Sequence, residues 1–167
     1  MERKLTSLEV IGMAIRSEED AAKFYGHIST MTKNDLVRAK YRQLAKEETG
    51  HKKVLLNLYG KMTDTKEPPP KIPGEPDTAE GGAVPDEISG SLEDLLKLAI
   101  DRERKARDFY RNAAAQATDL SGERILRYLS DVEHGHELML KNELEAYLRD
   151  TQWYTGEEWP EMLHVGP

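Results

Sequence analysis

The chain repeats itself. Sliding the sequence by 85 residues lays its first half on its second. Ala14, Ile15, Glu18, Ala21, Phe24 and Tyr25 recur as Ala99, Ile100, Glu103, Ala106, Phe109 and Tyr110. Arg42, Leu44, Glu48, Gly50, His51, Leu55 and Asn57 recur as Arg127, Leu129, Glu133, Gly135, His136, Leu140 and Asn142, with no gap in either segment. Two copies of one unit therefore build the fold, and each must cover the apolar face of the other. Surface positions are free to diverge and do: Lys23 matches Asp108, and Asp20 matches Lys105.

The unit is a helical hairpin, because its apolar residues recur at helical spacing. Ser7 is placed to cap a helix running to about Thr30, with Val10, Ile11, Ala14, Ile15, Ala21, Ala22 and Tyr25 near its inner side. Asn34 or Asp35 caps a second helix, predicted to end at Gly60 as the glycine beyond the last turn. Ser91 with Asp94 resembles a capping box and opens a third helix to about Ala117. Asp119 or Ser121 caps a fourth, to about Asp150. Six of the eight prolines (Pro68, Pro69, Pro70, Pro73, Pro76 and Pro85) fall between Lys61 and Gly90, among Gly74, Gly81 and Gly82. Such a stretch reads as one long extended connection. The predicted organisation is one domain over 1–150, made of a hairpin over 7–60, a Pro/Gly-rich crossover over 61–90 and a hairpin over 91–150. A C-terminal tail over 151–167 carries Trp153, Tyr154 and Trp159; it is expected to pack on its own bundle, with a dimer contact as the alternative.

Composition removes several classes of function. The absence of cysteine excludes disulfides, thiolate catalysis, zinc fingers, iron–sulfur clusters and rubredoxin-type centres. A net charge of −7 with no basic block argues against nucleic acid as a partner. No apolar run approaches the ~20 residues of a membrane span. No apolar block stands near the N-terminus ahead of a small-residue cleavage site, so a cytoplasmic protein is expected.

The repeat also preserves residues that a packing face does not need. Each copy has a Glu on its first helix (Glu18, Glu103) and a Glu-x-x-His on its second (Glu48 with His51, Glu133 with His136). Residues three apart on a helix project from one face, so carboxylate and imidazole can meet one cation. Glu18 and Glu48 are 30 residues apart with the turn near Lys33, about midway, so an antiparallel hairpin sets both at one height. Glu103 and Glu133 repeat this about a turn near Thr118. Four glutamates facing a bundle interior would carry −4, which is prohibitive without partners; two divalent cations supply +4. The rival reading is surface charge inherited by a duplicated helix pair. A single Glu-x-x-His is common by chance, whereas two at equal spacing, each preceded by a Glu, match the dinuclear carboxylate pattern of helical bundles. Four carboxylates and two imidazoles suit iron or manganese.

On these residues the chain resembles the rubrerythrin group of the ferritin-like superfamily. The similarity covers about residues 8–148 and rests on Glu18-x-x-Ala21-x-x-Phe24-Tyr25, Leu44-x-x-x-Glu48-x-x-His51 and their counterparts ending at Tyr110 and His136. It implies an all-α, ferritin-like four-helix bundle of two hairpins with a long crossover, which ~30 residues at up to ~3.3 Å each can make along a bundle ~36 Å long. It implies two iron ions, or manganese or another divalent metal, with Glu48 and Glu133 bridging and Glu18, Glu103, His51 and His136 as terminal ligands. The implied activity is a non-haem di-iron oxidoreductase that reduces O2 or H2O2, in oxidant defence or iron handling. The alternatives are a ferroxidase feeding iron storage and a non-catalytic metal-binding or sensor bundle. Two departures stand out. Without cysteine the usual rubredoxin-like domain is missing, so an external electron donor is needed. Ala106 stands where rubrerythrins usually carry a further Glu, which makes the site more symmetric. A homodimer is the expected assembly.

Tyr25 and Tyr110 lie two turns beyond Glu18 and Glu103 and are expected to hydrogen-bond and orient a carboxylate on another helix. Gly50 and Gly135 sit inside helices at a cost of about 1 kcal/mol each, which suggests a close helix contact, a local bulge or simple inheritance. His134 points away from Glu133 and reads as a supporting or surface residue. His27 and His164 have no partners at metal spacing.

Overall fold

The computed structural model describes residues 6–65, 67 and 90–157. Four long helices form the bundle: α1 (Ser7–Ile28), α2 (Asp35–Thr63), α3 (Leu92–Gln116) and α4 (Leu120–Arg149), followed by a short α5 (Thr151–Thr155). No strand occurs among the described residues. The prolines of the expected crossover, Trp159 and His164 lie outside them.

Local chemistry sets the helix ends. α1 is capped by Thr6 rather than Ser7: the Thr6 hydroxyl accepts from the Glu9 N–H, and the Glu9 carboxylate accepts from the Thr6 N–H. That reciprocal pair satisfies two orphan donors at once, which Ser7 could not do without a Glu three residues on. α1 stops at Ile28, short of Thr30, because the Ser29 and Thr30 hydroxyls bond back to the Gly26 and His27 carbonyls. α2 runs past Gly60 to Thr63, and Asp64 adopts the left-handed conformation (φ 57°) in place of a glycine. Gly60 serves another purpose: a Cβ there would lie 3.1 Å from the Thr65 carbonyl as the chain turns back. Asn34, Ser91 and Asp119 cap α2, α3 and α4 as expected.

The hairpins pack around a pseudo-twofold axis. Tyr25 of α1 bonds Glu103 of α3, and Tyr110 of α3 bonds Glu18 of α1. These contacts are each other's image under the 85-residue shift, and they make α1 and α3 antiparallel. α2 therefore ends at the opposite end of the bundle from the start of α3, as a long crossover requires.

Two apolar clusters flank the bundle's middle. One gathers Phe24, Tyr25, Ile28, Val37, Tyr41, Leu44, Leu92, Leu95, Leu96, Ala99, Leu140 and Tyr154. The other gathers Ile11, Ala14, Ile15, Leu55, Leu58, Tyr59, Ala106, Tyr110, Ala114, Leu126 and Leu129. The first end is closed by α5. Tyr154 is fully buried there, and the turn between α1 and α2 binds its backbone: the Thr32 hydroxyl donates to the Tyr154 carbonyl, the Lys33 N–H to Thr155 and the Asn34 amide to Trp153. Gly156 (φ 71°) permits this approach, since a Cβ would lie 2.5 Å from the Asn34 nitrogen. The second end holds an open cavity of about 830 Å³ lined by Val10, Ile11, Leu58, Met62, Phe109, Ala113, Leu126 and neighbours. No described helix is long and apolar enough to cross a membrane.

Candidate metal centre

Between the two clusters, each long helix contributes to one polar layer. α1 brings Glu18, α2 Glu48 and His51, α3 Glu103, and α4 Glu133 and His136. All six are buried, none more than 8% exposed. The i, i+3 spacing puts each imidazole over its own carboxylate: His51 Nδ1 lies 3.0 Å from Glu48 Oε2, and His136 Nδ1 lies 3.0 Å from Glu133 Oε2. Each ring also reaches the other hairpin, with His136 Nδ1 3.1 Å from Glu48 Oε1 and His51 Nδ1 3.8 Å from Glu133 Oε1. Glu18 Oε2 is 3.3 Å from His51 Nδ1, and Glu103 Oε2 is 3.9 Å from His136 Nδ1. The two imidazoles stack with centroids 5.9 Å apart.

The donor atoms form two overlapping groups. Glu18, Glu48, His51 and Glu133 make one; Glu48, Glu103, Glu133 and His136 make the other. Within each, the atoms lie within 4.8 Å of one another. Glu48 and Glu133 belong to both, as a dinuclear site with two shared carboxylates demands. Both Oε1 atoms are buried; that of Glu133 has no hydrogen-bond donor, and that of Glu48 faces the His136 imidazole at 3.1 Å. A void of about 10 Å³ lies among Ser17, Glu18, Ala21, Glu48, Glu103, Ala106 and Glu133, about the room of one small sphere. Converging carboxylate oxygens around such a void fit cations. Ala106, where the extra glutamate is missing, lines it.

Without cations the layer holds protons. Burial pushes Glu18 up to about 8, against the opposing hydrogen bond with His51. Burial and the nearby Glu48 charge raise Glu103 to about 7 and drive Glu133 well above the usual carboxylate range. Burial would raise Glu48 too, but hydrogen bonds from His136, His51 and Glu18 overcome it and hold Glu48 at about 2. Burial works against the imidazolium form, yet the surrounding carboxylates lift His51 to about 10 and His136 to about 9. The polypeptide thus uses two imidazolium ions and shared protons where two dications would supply the charge.

A family model for rubrerythrin matches residues 9–144. The chain belongs to the rubrerythrin family. Among solved structures, it is similar to a hypothetical protein from Pyrococcus furiosus, with 31% identity, a TM-score of 0.73, and coverage of 87% of this chain and 92% of that one. Bacterioferritin from Rhodobacter capsulatus aligns at 21% identity and a TM-score of 0.71, over 97% of this chain and 98% of that one. KatB, a manganese catalase from Anabaena, aligns at 17% identity and a TM-score of 0.63, over 99% of this chain and 81% of that one. The last two establish the ferritin-like fold. No curated protein matches the sequence.

The rubrerythrin layer has close neighbours. The Tyr25 and Tyr110 hydroxyls, both buried, donate to Glu103 Oε1 and Glu18 Oε1, each a carboxylate of the other hairpin. Burial and the nearby Glu103, Glu48 and Glu133 carboxylates raise the Tyr25 phenol well above its ordinary value, which keeps it a donor. Gly50 and Gly135 mark neither a close contact nor a bulge: their helices are continuous, and a Cβ at either would meet nothing within 4 Å. His134 is exposed, near Arg107 and Glu137.

Two features escape a reading of the repeat alone. Glu47 Oε2 lies 3.2 Å from His136 Nε2; the matching position of the other hairpin is Val132. A buried chain of hydroxyls runs Tyr41–Tyr154–Glu143 at 2.7 Å and 2.9 Å, and Lys40 Nζ meets Glu143 at 2.6 Å. The signal available was a mismatch inside the repeat: Tyr41 pairs with Leu126, and Glu143 with Leu58.

Proposed function

We propose that this protein is a dinuclear, non-haem iron oxidoreductase that reduces O2 or H2O2 with electrons from an external donor. The observation that supports it most directly is the overlap of two four-donor groups at Glu48 and Glu133. Glu48 and Glu133 would be shared between two metals, with Glu18 and His51 completing one and Glu103 and His136 the other. Two bound iron ions would supply one electron each to a two-electron oxidant.

The remaining work falls to the chain. Carboxylates favour the higher oxidation state of iron and can move between shared and terminal binding. Tyr25 and Tyr110 hold Glu103 and Glu18 by one oxygen, leaving the other toward the void. The apolar clusters on either side exclude bulk water. Ala21 and Ala106 line the void with small side chains that add no ligand of their own.

Anaerobic titration with Fe(II), followed optically, tests this reading. Two irons per chain are expected, and O2 and H2O2 supplied separately rank oxidase against peroxidase by their rates. A protein that takes up no iron, or whose bound iron reacts with neither oxidant, overturns it. Particle mass separates the ferroxidase alternative, because storage needs a hollow assembly and a dimer does not provide one.

A further inference from the structure

We propose that Trp153, Tyr154 and Tyr41 form an aromatic relay that carries electrons from the surface to the buried dinuclear layer through Tyr25. The inference rests on the redox reading of that layer and names where its reductant delivers.

The connections are short and continuous. Trp153 is half exposed on α5, and its ring lies 6.4 Å from that of Tyr154. Tyr154 is fully buried and shares a 2.7 Å hydroxyl–hydroxyl hydrogen bond with Tyr41. Tyr41 stacks on Tyr25, with centroids 6.5 Å apart and planes at 17°. The Tyr25 hydroxyl donates to Glu103. Electron tunnelling slows steeply with distance, and four adjacent rings replace one long step with several short ones.

Among the described residues the relay exists on one side only. The repeat copies Tyr25 as Tyr110 but puts Leu126 at the place of Tyr41 and Leu58 at that of Glu143. At the Tyr110 end, Leu58 and Leu126 border an open cavity instead of an aromatic plug. A symmetric dinuclear layer with a one-sided aromatic path has a defined electron entrance.

Protons balance locally. When the centre, oxidised by O2 or H2O2, takes an electron from Tyr25, the phenolic proton of Tyr25 shifts to Glu103. Tyr41 then refills Tyr25, which recovers its proton, while the Tyr41 proton shifts to Tyr154, whose own proton shifts to Glu143 along the existing hydrogen bonds. The next electron, from Tyr154 and then Trp153, refills the hole and the protons return. Trp153 is restored by a one-electron reductant at the surface, so one electron enters for each that reaches the oxidised centre.

The chain has no cysteine, so Arg149→Cys gives one attachment point for a ruthenium photosensitiser four residues before Trp153. Flash oxidation of the metal-free protein reads the relay without any turnover. The expected result is a Trp153 radical that decays as a tyrosyl radical grows, seen by transient absorbance and EPR. Tyr154→Phe should leave the radical on Trp153, and Tyr41→Phe should leave it on Tyr154. In Fe(II)-loaded protein supplied with H2O2, Tyr41→Phe should slow oxidation of a protein-sized donor at least tenfold, with iron content unchanged. Absence of a tyrosyl radical in the Arg149→Cys parent, or its undiminished growth in Tyr154→Phe, overturns the relay. Failure of the redox reading shows separately, as absent iron uptake while the radical still migrates.

Discussion

The two ends of the bundle began as copies and now differ. At one, α5 seats Tyr154 against Tyr41 and Glu143; at the other, the equivalent Leu126 and Leu58 face a cavity of about 830 Å³. The match is close: Thr32, Lys33 and Asn34, which bind α5, correspond to Ala117, Thr118 and Asp119, which line the cavity. The middle has diverged less, Glu47 at His136 against Val132 being one difference there. The three acidic and imidazole groups of each hairpin, and the tyrosine that reaches across, are present in both copies. A residue near the pseudo-twofold axis faces its own copy, so a change there disturbs a site that both hairpins share. A residue at an end meets only local neighbours and can change alone.

The largest test of that contrast lies at the axis. Glu48→Gln and Glu133→Gln should both abolish metal uptake, measured by metal analysis. In chelator the copies should part. Glu48→Gln leaves two buried imidazolium ions facing an amide and should cost ~3 kcal/mol in urea melts. Glu133→Gln replaces a carboxyl that is already protonated and should cost under ~1 kcal/mol. Equal costs would mean that the proton distribution is as symmetric as the repeat.

At the ends, Tyr154→Ala opens a filled site and should cost ~3–5 kcal/mol. Leu126→Ala, beside space that is already open, should fall near ~2 kcal/mol, at the low limit for such truncations. A larger loss from Leu126→Ala than from Tyr154→Ala would show that the cavity is not open in solution.

The metal-free layer also sets a pH response. Folded Glu18 keeps its proton from the ordinary 4.5 up to about 8, and His136 and His51 keep theirs from 6.5 up to about 9 and about 10. In those windows the folded state binds protons that the unfolded state has lost, so stability falls as pH rises. Glu48 acts in the opposite sense, but only between about 2 and 4.5. Melts in chelator should therefore show a Tm highest near pH ~5 and lower by several degrees near pH ~9. Metal displaces the same protons, so its affinity should rise with pH. A flat Tm in chelator contradicts the protonated layer.

Tyr25→Phe and Tyr110→Phe, as twofold counterparts, should each weaken metal affinity by ~10–100-fold, read by competition with a chelator. The smallest effect belongs to the glycines. Gly50→Ala and Gly135→Ala should each stabilise by up to ~1 kcal/mol, since the added Cβ meets nothing. Gly156→Ala should instead destabilise, because its Cβ would press on the Asn34 backbone.

The sequence by itself determined the helical class, three of the four long-helix caps and the candidate ligand set. Duplication supplied an internal comparison that separated Glu48 and His51 from ordinary surface charge. Helix ends were less legible: Thr6 displaced Ser7 because Glu9 answers it, and α2 outran Gly60 because Asp64 could take the left-handed turn. Tertiary structure alone decided which hairpin each tyrosine serves, where Glu47 meets His136, and that Tyr41, Glu143 and Tyr154 touch. The reason is physical. Helical periodicity tells which side of a helix is inward, but the partner across the interior depends on axial register between helices, and only packing sets that.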